Sequence, residues 1–219
     1  MVCAHGTRAA AGAAEVASLV AEVAARRPEL TVLPAYVDVQ HPNLPTVLAG
    51  RDGPAVVVPL LLSAGFHVHV DIHEAVRASA GRVRAAGALG PDQALVAVLA
   101  ERLDAVGADR ADHVVLAAAG SSDARAVTDV ERMATALAAT TGLPVSTGYL
   151  SAATPTVADA VTAARAGGAR TVAVATYLLA PGFFTDRLAE VGADLVTAPL
   201  LPDPAVVDLV LRRYDQTVG

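Results

Sequence analysis

The sequence contains no lysine; all sixteen of its basic residues are arginine. With no lysine amine, a Schiff-base lysine is excluded, and so is a phosphate loop ending in Gly-Lys-Ser/Thr. There is one cysteine, Cys3, so no internal disulfide can form, which fits a reducing cytoplasm. Aromatic residues make up only 3% of the chain. The formal charge is −6, which provides no basic footprint for nucleic acid. No basic segment followed by an apolar signal core opens the sequence, and its apolar run at 55–65 is too short to span a bilayer. The expectation is a cytoplasmic protein with neither a nucleic-acid nor a membrane partner.

Hydrophobic residues, mostly Ala and Val, account for 54% of the 219 positions, enough for one large domain or two small ones. Short Val-rich runs alternate with Ala-rich segments of helical period. The expected strands lie at 1–4, 30–37, 55–62 and near Val83, and the expected helices at 13–26, before Gly50, at 72–80 and at 92–106. This β-α-β-α order implies an α/β fold with a parallel sheet covered by helices. The order then begins again. Strands are expected at 113–118, 145–150, 171–177 and 195–198, and helices at 123–139, 156–165, 183–191 and 204–214.

The repetition extends to individual residues. Ala4-His5-Gly6-Thr7 answers to Ala118-Ala119-Gly120-Ser121, and Tyr36-Val37 to Tyr149-Leu150. Pro45-Thr46-Val47 resembles Pro155-Thr156-Val157, and the block 61–66 resembles 178–183. Pro91-Asp92 and Arg102 match Pro202-Asp203 and Arg213. The chain therefore divides into lobes at 1–108 and 109–219, each with a parallel four-stranded sheet flanked by helices. The repeated glycines suit tight strand-to-helix turns.

Positions that differ between the halves are candidates for chemistry. His5 becomes Ala119, and His67 becomes Phe184. Both histidines are expected at or just after the carboxyl ends of strands, the edge where parallel sheets bind ligands. Imidazole is a common borderline metal ligand and also takes up protons near neutral pH.

At these residues the sequence resembles a known family. Ala4-His5-Gly6-Thr7-Arg8 is similar to the Ala-His-Gly-Ser opening of the sirohydrochlorin chelatases, the class II chelatases that act on sirohydrochlorin. The run from Pro59 to Ile72 is similar to their second signature, an aliphatic run followed by Gly-x-His-x-x-x-Asp-Ile. The resemblance spans nearly the whole chain, including the degenerate second half of the long bacterial members. It implies two similar chelatase-like lobes that insert a divalent metal into the tetrapyrrole sirohydrochlorin, with His5 and His67 as metal ligands and catalytic residues. Iron leads to sirohaem, cobalt towards cobalamin, and related small members use nickel. The metal is a co-substrate, and no permanently bound cofactor is expected. Where many relatives carry Glu after the second strand, this chain has Asp38, a candidate acceptor of pyrrole protons.

The substrate's many carboxylates call for local binding groups in an acidic protein. Thr7, Arg8, Ser121 and Arg125 flank two expected helix starts, and Arg187 follows the second-half Gly182 loop. Thr7 and Ser121 are also expected to cap those helices. On a helix, Asp71 would share a face with His67, while His69 and His73 would share another. Cys3 is expected to pack in the interior. A tetrapyrrole or metal carrier would look much the same in sequence. A nucleotide-binding enzyme lacks its Gly-x-Gly-x-x-Gly fingerprint here, and a zinc hydrolase using His69 and His73 lacks a third ligand. Either a monomer or a homodimer is compatible with the sequence.

Overall fold

The computed structural model describes residues 1–63, 72, 74–79 and 81–219. The first half runs β1 (Val2–Ala4), α1 (Ala10–Arg26), β2 (Pro34–Tyr36), α2 (Leu44–Ala49), β3 (Ala55–Pro59), β4 (Val83–Ala85) and α3 (Gln93–Ala105). Ile72 and residues 74–78 are helical, within the span expected from the sequence. The second half runs β5 (His113–Ala118), α4 (Ala124–Thr141), β6 (Val145–Tyr149), α5 (Val157–Ala166), β7 (Val172–Tyr177), α6 (Phe183–Arg187), β8 (Leu195–Val196) and α7 (Pro204–Val218). Helix α6 ends early and continues as a 3-10 turn at Leu188–Glu190.

Each half forms a parallel four-stranded sheet. The strand orders are β2-β1-β3-β4 and β6-β5-β7-β8, the same order twice. Val-rich central strands such as β3 and β7 are buried on both faces, as parallel strands under helices must be. The halves correspond in their hydrogen bonds as well as in their residues. Val37 N–H donates to the Ala4 carbonyl, and Leu150 N–H to the Ala118 carbonyl, each at 3.0 Å.

One sequence match needs correction. The counterpart of Pro155-Thr156-Val157 is Pro42-Asn43-Leu44, not Pro45-Thr46-Val47. Tyr36 N–H donates to the Pro42 carbonyl as Tyr149 N–H does to that of Pro155. Asn43 and Thr156 are the caps of α2 and α5, accepting from the N–H groups of Thr46 and Asp159. Residue identity misaligned the two segments by one helical turn. What defines the position is the carbonyl that returns to the strand end, followed by a capping side chain.

The last helix of each half packs on the other half. Helix α3 lies against β7 and α4, while α7 lies against β3 and α1. A single buried cluster thus joins residues of both halves, among them Val2 and Leu116 from the sheets and Leu99 and Leu209 from the exchanged helices. Two arginines fasten the exchange reciprocally. The Arg213 guanidinium donates to the Ala88 and Leu89 carbonyls at 2.8 and 2.9 Å and to the Asp92 carboxylate at 3.0 Å. Arg102 donates to the Pro202 carbonyl at 2.8 Å and to Asp203 at 3.4 Å. Asp92 and Asp203 are themselves the caps of α3 and α7, so each arginine ties one helix to the start of the other. This explains why the Asp and Arg positions recur as a pair.

Candidate active-site cleft

The carboxyl ends of β1, β3, β5 and β7 open onto a common cleft of about 850 Å³ between the halves. Its floor is apolar and built from equivalent positions: Val16 and Val130 from α1 and α4, Leu60 and Tyr177 from the ends of β3 and β7. A large cavity with an apolar floor and a few polar groups on its walls suits an organic ligand of considerable size.

His5 follows β1 directly, lines the cleft and is exposed to solvent. Gly6 then turns the chain with φ of +100°, and a Cβ there would collide with the Asp38 carbonyl oxygen. Gly120 does the same in the second half, at φ +91° against the Ser151 carbonyl. Only glycine combines this backbone angle with so close an approach. The loop after β2 is thereby held against the loop after β1, and Asp38 N–H donates to the His5 carbonyl at 3.0 Å. The Asp38 carboxylate accepts from its neighbour Val39 N–H at 2.7 Å, and Val39 and Gln40, rather than Asp38, line the cleft. Val39 and Ala152 hold positive φ values of 61° and 53° at corresponding places, so this loop strain belongs to the shared scaffold.

Thr7 and Ser121 lie in the cleft wall, but they are not helix caps. Thr7 Oγ1 accepts from Ala9 N–H at 3.1 Å, and Ser121 Oγ from Asp123 N–H at 3.1 Å. These side chains brace the turns before α1 and α4, whose N-cap positions are held by Ala9 and Asp123. The helix begins two residues later than the hydroxyls because the glycine turn must finish first. Gln40 Oε1 accepts from Thr7 N–H at 2.9 Å and so anchors the His5 loop. Arg8 is exposed and, among the described residues, has no ion pair. Arg125 is held by Asp123, its Nη2 lying 2.8 Å from the carboxylate.

In the second half the places of the two histidines are apolar. Ala119 and Phe184 both pack against the outer core of that lobe. Tyr177 is almost fully buried, and burial raises its hydroxyl above the ordinary tyrosine range. Its hydroxyl donates to the Leu62 carbonyl at 2.7 Å, tying β7 to the segment that leaves β3. That segment lines the cleft through Ser63. His67, His69, Asp71 and His73 lie outside the described residues. Among the described residues no group of three or more His, Cys, Asp or Glu side chains is arranged to hold a metal. Gln40, Tyr177 and Phe183 were not legible as site residues. The only signal for Phe183 was an adjacent Phe pair in a chain with three phenylalanines.

Cys3 is buried between the first sheet and its outer helices, with Ala35, Leu44 and Val57 as neighbours. Burial pushes its thiol up to about 12, so it is inert packing, as expected. No described helix is long and apolar enough to cross a membrane.

Residues 1–106 and 113–217 match the family model described as CbiX. The chain belongs to the CbiX family. One curated relative of this CbiX-family chain, a sirohydrochlorin ferrochelatase of Priestia megaterium, is 30% identical over 142 residues. That match covers 61% of this chain and 53% of the relative, so the chain spans about half the length of the curated relative it matches. Among solved structures, SirB from Bacillus subtilis with Fe3+ superposes with a TM-score of 0.82 at 22% identity, covering 100% of this chain and 94% of that one. The sirohydrochlorin chelatase SirB from Bacillus subtilis subspecies spizizenii in complex with cobalt gives a TM-score of 0.78 at 19% identity, covering 98% and 92%. At these identities the likeness establishes that the two-lobed fold is shared.

Proposed function

We propose that the protein inserts a divalent metal, iron or cobalt, into sirohydrochlorin, as a step towards sirohaem or cobalamin. One observation supports this reading above the others. The two halves share a fold, but one wall of the cleft carries the exposed imidazole of His5 and the other carries Ala119 and Phe184. A symmetric scaffold has become chemically one-sided, which suits a flat ligand metallated from a single face. The Priestia relative, a sirohydrochlorin ferrochelatase, and the iron and cobalt in the two SirB structures support the same reading.

In this reading His5 and His67 hold the incoming metal. Neutral imidazoles bind iron, cobalt and nickel through exchangeable bonds and can surrender the ion to the ring nitrogens. Two pyrrole protons must leave as the dication enters, and Asp38, in the loop bonded to His5, or one of the histidines accepts them. A closed cage of protein ligands would retain the product metal, so two ligands suit a cargo ion better than four. Arg8 and the turn around Thr7 face the substrate's carboxylates from one side, Ser121 and Arg125 from the other. The lobes divide at 1–108 and 109–219, the protein acts in the cytoplasm, and it needs no permanent cofactor, membrane or nucleic acid.

The test is turnover. Sub-stoichiometric protein is mixed with sirohydrochlorin and each metal, and the absorbance change of metallation is followed. His5→Ala and His67→Ala are expected to lose insertion while keeping the wild-type circular dichroism spectrum and tetrapyrrole binding. Full activity in either variant would refute the metal pair. Stoichiometric binding without turnover in the wild type would identify a carrier instead.

A further inference from the structure

We infer that Phe183, supported by Arg187 and Phe184, is a stacking platform for one face of the tetrapyrrole ring. The inference rests on the functional reading above and assigns the part of the cleft beside the loop that carries His5.

Phe183 is 70% exposed, although it lines the cleft and opens a helix. No core requirement explains a phenyl ring at this place. Its neighbours nevertheless fix it. The Phe184 ring lies 5.5 Å away, tilted by 55°, and is itself anchored against the outer core of the second lobe. The Arg187 guanidinium stands over the Phe183 ring at 5.7 Å from its centroid, within cation–π range. Arg187 is held in turn by donating to the Leu150 carbonyl at 3.1 Å, and among the described residues it has no carboxylate partner. The helix start is secured by Thr185, whose hydroxyl meets both the N–H and the carbonyl of Gly182 at 2.7 Å.

An exposed aromatic ring held still by its surroundings is pre-organised to stack, because binding costs it little further side-chain entropy. Its position faces the right chemistry. A Cβ built at Gly182 would lie 3.5 Å from Thr7 Oγ1, so Phe183 leaves the chain beside the loop that carries His5. A planar ring resting on Phe183 would have its nitrogens within the cleft that His5 lines, and Arg187 would offer its remaining N–H groups to a carboxylate at the ring's edge. The Phe184 position, a histidine in the first half, then acts as a buttress in place of a ligand.

The chain contains no tryptophan, so Phe183→Trp introduces a single tryptophan at the platform, excitable apart from the four tyrosines. Titration of this variant with sirohydrochlorin should quench the fluorescence saturably. Phe183→Ala, at an exposed position, should keep the fold and raise the KM for sirohydrochlorin about 3- to 10-fold, the range expected for one lost aromatic contact. The kcat and the KM for the metal should change by less than about twofold in the same variant, since no ligand is lost. Phe183→Tyr should restore the wild-type KM. An unchanged KM in Phe183→Ala beside an active wild type, or an unquenched tryptophan at saturating sirohydrochlorin, would overturn the platform alone. A wild type that neither binds nor metallates sirohydrochlorin would overturn the functional reading, and the platform with it.

Discussion

Gly12 offers a test in which two well-understood effects have opposite signs. It is the third residue of α1 and is buried. Replacing a glycine inside a helix with alanine ordinarily stabilises by about 0.8–1 kcal/mol, since alanine loses less backbone freedom on folding. Here a Cβ would fall within 3.0 Å of the Pro181 carbonyl oxygen, an atom of the other lobe's backbone. Ordinary carbon–oxygen approach is about 3.3–3.6 Å, so the lobes must move apart locally by on the order of 1 Å. Backbone cannot rotate away as a side chain would, which puts the overpacking cost in the upper part of its usual range, about 2–3 kcal/mol. The net expectation for Gly12→Ala is a loss of about 1–2 kcal/mol. For a chain of this length that corresponds to a fall in Tm of about 2–8 °C. Urea unfolding followed by circular dichroism measures the difference directly. Ala17→Gly, at an exposed position of the same helix, calibrates the propensity term and should cost about 1 kcal/mol. A Gly12→Ala protein as stable as the wild type, or more so, would refute the close contact between α1 and the 181–182 loop.

The arginine exchange predicts that Arg213→Met costs about 2–3 kcal/mol in denaturant unfolding, because three acceptors around a guanidinium only 15% exposed lose their donor. Arg102→Met should cost less, about 1–2 kcal/mol, since its side chain is 25% exposed and its contact with Asp203 is longer. Equal effects would contradict the asymmetry of the two clasps. Burial lifts the Cys3 thiol from 9.0 to about 12, favouring the neutral form in the folded state. That stabilisation is complete below about pH 9 and is lost as pH rises towards 12. At pH 8 the thiol should react with a disulfide reagent at least about 100-fold slower than in denaturant, where it becomes exposed. Comparable rates would mean that the first sheet is open at Cys3.

Much of the architecture was legible because it is written in local terms. β5 begins and ends at the residues its Val-rich run marked, and α1, α3, α4 and α5 agree with their period to within a turn. Strand ends were less clear. β3 stops at Pro59, short of its apolar run, because residues 60–63 leave the ladder to line the cleft, and β2 is confined to Pro34–Tyr36, with Val37 beyond it turned into the outer core. Helix α7 runs further than expected, to Val218, because it is extended along the other lobe. The wall carrying His5 was legible from a comparison of the two halves. The platform beside it was not, since a Phe at a helix start reads as core until its exposure is seen.

By itself, the amino-acid order determined the strand–helix alternation, its duplication, and the loss of imidazole from one half. Period, glycine placement and residue differences are properties of neighbours along a chain. Only the tertiary structure decided that the last helices change places, that Arg102 and Arg213 clasp each other's lobes, and that Phe183 stands exposed beside the His5 loop. Those outcomes depend on which surfaces meet across the cleft. Packing between segments a hundred residues apart leaves no periodic trace in the sequence, because burial and hydrogen-bond partners are settled by the contacting surfaces rather than by either segment alone.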